Sequence, residues 1–233
     1  MRRTSAALLT GLAISLASTL VSAHISIASG PGFANTTQEV VFGVGHGCAG
    51  ADTFSVRVEI PAGVTSVRPL TSDFGKVTLE KDATGVVTGV VWQKAEENAL
   101  ESDTNYYKLA VRLKVPNQPF TTLRFPTHQT CRAADGGISV VDWVELSSTA
   151  PDGGEAEPAP TLSIVPARKA GWNKFTVPVP VADLGAFFGD ALIVWKGNAA
   201  YSANTATADL IKTTADVTPL TGLAAGDEVW VKY

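Results

Sequence analysis

Apolar residues recur at every second position through much of the chain, and that period predicts strands. Phe54, Val56, Val58 and Ile60 share one side of an extended segment, with Ser55, Arg57 and Glu59 on the other, as expected of a half-buried strand. Ile25 and Ile27 alternate with polar neighbours, and Val40-Val41-Phe42-Gly43-Val44 reads as a buried run. Further strands are predicted around residues 64–70, 76–80, 86–92, 106–115, 120–125 and 138–145. Pro61-Ala62-Gly63, Ala83-Thr84-Gly85 and Asp135-Gly136-Gly137 punctuate them as turns. Short strands in succession, with no helical period, predict a mainly β chain whose residues 24–146 form an antiparallel β-sandwich.

Beyond residue 146 the pattern changes twice. Residues 147–161 are rich in Pro, Gly and Glu, lack large apolar side chains and read as a linker. Residues 162–233 mix periods. An apolar segment begins at Val181 and closes on Phe187 and Phe188, and residues 191–195 read as a buried strand. Asn204 is placed to cap a helix running through Ile211, with Leu210 and Ile211 towards a core. Gly226-Asp227 makes a turn before an alternating strand that ends at Tyr233. This predicts a small α+β C-terminal unit, and no internal repeat joins it to the sandwich.

The first 23 residues follow neither pattern. Arg2 and Arg3 precede an apolar stretch from Ala6 to about Leu20, and Val21-Ser22-Ala23 supplies small residues for cleavage. This is the layout of a secretory signal peptide. The stretch is shorter than the roughly 20 residues that a membrane span requires. The mature chain is therefore expected to be periplasmic or secreted, with no span after cleavage.

Composition narrows the functions. The chain has 233 residues, with 18 Lys and Arg against 22 Asp and Glu, a net charge of −4 that becomes more negative once Arg2 and Arg3 leave. An acidic chain without a basic run is a poor partner for nucleic acid. With 45% hydrophobic and 17% charged residues it is too apolar to be disordered. His24, His46, His128, Cys48 and Cys131 are its only His and Cys residues, too few for a multi-metal cluster. It has no phosphate-binding glycine loop, no H-E-x-x-H and no G-x-S-x-G turn. No catalytic residue is assigned, and an enzyme is not expected.

Cleavage after Ala23 would make His24 the first residue. A terminal His can chelate a metal through its α-amine and its imidazole, and two nitrogen donors favour Cu(II). The plainer reading is that a terminal His is coincidence. Cys48 and Cys131, the only cysteines of an exported chain, are expected to form a disulfide worth about 4 kcal/mol; a thiolate copper ligand is the alternative. In extended backbone His46 and Cys48 project to one side, as do Gln129 and Cys131, while His128 faces away. A bridge would draw His46 and Gln129 to one end of the sandwich. That makes His46 the preferred second ligand, against a merely structural role.

Several of these residues together resemble the YcnI-type copper-binding domain. They are the mature start His24-Ile25-Ser26-Ile27, the strand 54–60 with Pro61-Ala62-Gly63, Phe125 with Gln129 four residues on, the Gly136-Gly137 turn, and Trp143. The resemblance covers residues 24–146. It implies a β-sandwich that binds Cu(II) through one histidine and the terminal amine, for copper homeostasis or delivery as a copper chaperone. Copper, and another periplasmic or inner-membrane copper protein, would be its partners. Carried over, the brace falls on His24 and the nearby tryptophan on Trp143, which with Gln129 would support the site. The family's glutamate ligand has no counterpart here: gapless alignment places Cys48 at its position. His46 is the expected substitute, ahead of Glu39 and Glu145.

The tail's Gly171-Trp172-Asn173 opening and its Gly226-Asp227-x-x-Trp230-Val231-Lys232 ending are similar to C-terminal extensions of some proteobacterial relatives and to GWN-type β modules, which implies no defined ligand. Trp172, Trp195, Tyr201 and Trp230 could form an aromatic face, but the plainer reading makes them core residues. Two other functions stay open on the sequence: a histidine-brace copper monooxygenase, and a non-metal surface or interaction module.

Overall fold

The computed structural model describes residues 24–146 and 156–233. The expected signal peptide (residues 1–23) and residues 147–155 of the expected linker lie outside the described residues. No described helix is long and apolar enough to cross a membrane.

The strands of the N-terminal part are β1 (Ser26–Ile27), β2 (Gly32–Phe33), β3 (Thr37–Val44), β4 (Asp52–Glu59), β5 (Thr65–Pro69), β6 (Lys76–Lys81), β7 (Val87–Gln93), β8 (Tyr107–Lys114), β9 (Thr121–Arg124), β10 (Thr127–Arg132), β11 (Ile138–Trp143) and β12 (Thr161–Val165). They form an antiparallel sheet β1-β3-β8-β5, a second antiparallel sheet β11-β10-β4-β7-β6, and a three-stranded sheet β2-β12-β9 with a parallel β2–β12 pair.

Alternation explains the layering. In β4, Val56 and Val58 are buried between half-buried Ser55, Arg57 and Glu59, and in β8 Leu109, Val111 and Leu113 point inwards. Both sheets, with Leu162 and Ile164 of β12, supply one core cluster, crossed by contacts of Phe42 with Trp92 and with Phe125. The expected β-sandwich is present. Phe120, at φ 67°, lies outside this core and packs in the next one.

The C-terminal unit contains β13 (Trp172–Thr176), α1 (Leu184–Phe188), β14 (Ile193–Lys196), β15 (Ala199–Tyr201), α2 (Thr205–Thr213), β16 (Thr218–Pro219) and β17 (Glu228–Lys232). Its sheet runs β13-β17-β14-β15-β16. The Asn204 side chain accepts from the Thr207 amide, so the expected cap is formed. Ile211 is buried but Leu210, about 100° away round the helix, is exposed, so the core-facing stripe of α2 is narrow.

Two boundaries differ from the sequence reading. Leu192 is exposed and the strand begins one residue later, at Ile193. Thr161–Val165, expected at the end of the linker and the start of the tail, pairs with β9 and β2 of the sandwich. Leu162 and Ile164 enter the sandwich core, while Val165 joins Phe120 and the tail's Val177, Phe187 and Phe188 in a second core. The β12 strand thus serves both parts, which composition alone did not reveal.

Candidate metal centre

The strands β10 and β11 set the geometry of the His24 end. Thr127, Gln129 and Cys131 face inwards on β10 and His128 faces out, the parity read from the sequence. Cys131 is bonded to Cys48, with Cα atoms 5.7 Å apart. This removes the thiolate alternative, since neither sulfur is free. Residues 45–47 form no strand, and Cys48 makes only an isolated bridge with Ala51. The disulfide and the Gln129 hydrogen bond to the His46 carbonyl, rather than a ladder, hold His46 near β10.

Gln129 is 1% exposed and links the site residues. Its Nε2 donates to the His46 carbonyl at 2.7 Å and to Thr53 Oγ1 at 2.8 Å, while its Oε1 accepts the Trp143 indole N–H at 3.0 Å. An indole can only donate and a carbonyl can only accept, so the amide has one orientation. Trp143 is held at an angle to His24, with ring centroids 5.5 Å apart and planes at 67°. Since its N–H is committed to Gln129, and indole nitrogen has no lone pair to offer, Trp143 can shield a site but cannot ligate.

His24 Nε2–H donates to the Ala156 carbonyl at 3.1 Å. In the neutral ring this puts the proton on Nε2 and the lone pair on Nδ1, the nitrogen nearer the backbone. His46 shows the reverse arrangement: its Nδ1–H donates to the Gly47 carbonyl, which leaves the lone pair on Nε2. Its link to Gln129 runs through its backbone carbonyl, not its ring. His128 lies on the outer face, where it meets Asp142 and Glu59. Among the described residues no three His, Cys, Asp or Glu side chains converge on a common point.

Glu145 is taken up with the chain beyond the linker: its backbone bridges Pro158 and a carboxylate oxygen accepts from the Glu157 amide. Glu39, on β3, stands opposite Arg112 of β8. Thr53 and the Ala156 carbonyl were missed from the sequence. Thr53 carries a signal, as a polar residue in the buried start of β4; Ala156 carries none, because its role is played by its backbone.

The family model described as "Domain of unknown function (DUF1775)" matches residues 24–164. The chain belongs to the DUF1775 family. The YcnI-type resemblance falls within it, and the match runs through β12, in line with the strand pairing. A solved structure of an uncharacterized protein from Nocardia farcinica, described as having an immunoglobulin-like fold, is similar at 22% identity and a TM-score of 0.51. That match covers 61% of this chain and 98% of that one, and it supports the fold alone. A DUF4466 family protein from Parabacteroides merdae matches at 10% identity with a TM-score of 0.22, over 67% of this chain and 46% of that one, and carries no argument. No curated protein matches the chain.

A second buried polar cluster lies elsewhere in the sandwich. Lys94 Nζ donates to Asp52 Oδ2 at 2.5 Å and to the Tyr107 hydroxyl at 2.7 Å, and that hydroxyl donates to Asp52 Oδ1 at 2.8 Å. Burial, followed by the Asp52 hydrogen bond, pushes the Tyr107 hydroxyl above its usual range. The Leu100 amide also donates to Asp52, so the carboxylate is fully engaged. This cluster ties β4 to β8 and the loop after β7 and is structural.

Proposed function

We propose that this DUF1775 protein is an exported copper-binding protein that holds Cu(II) at a mature N-terminus beginning at His24. The observation that carries the reading is the hydrogen bond from His24 Nε2–H to the Ala156 carbonyl. Histidine ligands characteristically donate the second ring N–H to a carbonyl or carboxylate, which fixes tautomer and orientation. With Nε2 so engaged, Nδ1 and the α-amine released by cleavage after Ala23 are the pair that can close a chelate on one metal. The copper itself would favour tetragonal nitrogen donation.

Trp143 would shield the ion, and Gln129 would hold Trp143 in place. His46 is the proposed further ligand through Nε2, in place of the family's missing glutamate. Copper is cargo in this reading, held for homeostasis or passed to another exported or inner-membrane copper protein, and no catalytic turnover is proposed. The test is Cu(II) titration followed by electron paramagnetic resonance. His24→Ala should abolish tight binding, and His46→Ala should weaken it or alter the spectrum. Unchanged binding by His24→Ala would overturn the reading.

A further inference from the structure

The five-stranded C-terminal sheet turns one face to the second core; on its other face Ala200 of β15 is buried, while the tryptophans of β13, β14 and β17 lie on the part left open. Asn173, Val194, Val229 and Val231 are buried. The alternate positions Trp172, Trp195 and Trp230 project the other way, with Trp172 and Trp230 46% and 50% exposed. Tyr201 pairs with Val194 and packs on the second core, so it does not belong to this face. The three indoles alone line a shallow, almost wholly apolar depression of about 450 Å³.

Strand register makes the pattern explicit. Across β13, β17 and β14, one row reads Trp172, Lys232, Ile193 and the next reads Lys174, Trp230, Trp195. Glu228 follows on β17, opposite Thr176. Lys174 Nζ meets Glu228 at 2.8 Å, and Lys232 Nζ lies 5.9 Å from the Trp172 ring centre. Exposed aromatic rings thus alternate with charged ends in two dimensions.

This pattern selects among occupants. An apolar patch of this kind marks a binding surface. A protein partner would want charge depleted at the centre of its interface, where Lys174, Glu228 and Lys232 stand. A lipid surface would have to bury the Glu228 carboxylate. A quaternary ammonium ligand would compete with Lys232, which already lies over Trp172. A sugar chain meets every requirement: each pyranose ring offers an apolar C–H face to an indole and a rim of hydroxyls to ammonium and carboxylate groups. Trp195 and Trp230 are directly opposed and Trp172 is diagonal to Trp230, so the band runs for roughly 12 Å across the sheet, longer than one ring. A shallow, open band of this length suits an extended chain better than a coiled one.

We propose that the C-terminal sheet is a carbohydrate-binding face, built on Trp172, Trp195 and Trp230, for an extended β-1,4-linked pyranose chain. It stands independently of copper at His24. The test uses the full mature chain with cellohexaose, chitohexaose and purified peptidoglycan sacculi, read by tryptophan fluorescence and co-sedimentation. Binding to at least one of these is expected, with Trp230→Ala and Trp172→Ala each weakening it tenfold or more while the circular dichroism spectrum stays native. Binding to none of the three, or binding that survives both substitutions, overturns the proposal. So does Trp230-dependent capture by phosphatidylglycerol vesicles, or Trp230-dependent dimerisation, in the absence of glycan binding.

Discussion

Trp143 is 4% exposed at the His24 end of the sandwich, its N–H held by Gln129, whereas Trp230 is 50% exposed in the middle of the C-terminal sheet beside two other tryptophans. The same side chain is set in place by different means in the two regions. Around Trp143 the polar groups satisfy one another: the His46 carbonyl, Thr53, Gln129 and the indole form one chain, anchored by the Cys48–Cys131 bridge. Around Trp230 the rings are set by strand register, with Lys232 over Trp172, and Trp172 and Trp230 stay about half open to solvent. A closed, internally satisfied site suits a small ion approached from one side. An open band suits a ligand that lies along it.

The largest difference between the regions should come from the disulfide. Replacing Cys48 and Cys131 by Ser is expected to cost about 4 kcal/mol, because the bridge closes an 83-residue separation. Replacing Trp172 and Trp230 by Ala should cost less, about 1–2 kcal/mol each, because about half of each ring is already in water. Urea midpoints for the two sets check this. Equal losses would dissolve the distinction between a built site and an open face.

Next in size is Gln129→Ala. It leaves the buried Trp143 N–H without its acceptor, at about 1–3 kcal/mol, while Thr53 Oγ1 and the His46 carbonyl still face each other. Its signature is a changed Trp143 environment together with weaker Cu(II) binding, read by fluorescence and by titration. Loss of stability with unaltered copper affinity would separate Gln129 from the site.

The smallest effect lies on the outer face of the same strands. The hydrogen bond from Arg57 holds the Glu59 carboxyl below its usual range, with a lesser contribution from His128. A depressed folded value means that the stabilisation is present above the unfolded carboxyl range and is lost as pH falls through the folded value. Arg57 and Glu59 are 36% and 41% exposed, so solvent screens the pair and the gain is slight. Glu59→Gln should lower the urea midpoint slightly at pH 7, and the difference from the parent should shrink as pH falls towards 3. Parallel curves at both values would remove the pair from the account.

Much of the sandwich was legible because its strands are buried on one face, so β4 and β8 write their fold as alternation. The bridge and the inward parity of Gln129 followed from the Cys48–Cys131 pair and the period of two. Less legible was whatever depends on backbone groups or on sheet order. The acceptor for His24 is the carbonyl of Ala156, and no side chain announces it. The β12 strand sits beside a Pro-rich stretch, yet it completes the sandwich through pairing with β9 and β2. Trp172 and Trp230 read as core from their residue type, and only register shows that they share the solvent face with Lys174 and Lys232.

On the proposed function, the metal is held at the N-terminus of the mature chain. Native mass spectrometry of the exported protein, with one equivalent of Cu(II), should find a chain beginning at His24 that carries one copper. The same chain with a single residue added ahead of His24 should lose it. Equal copper loading of both chains, or a metal-free mature protein in excess Cu(II), would contradict the account.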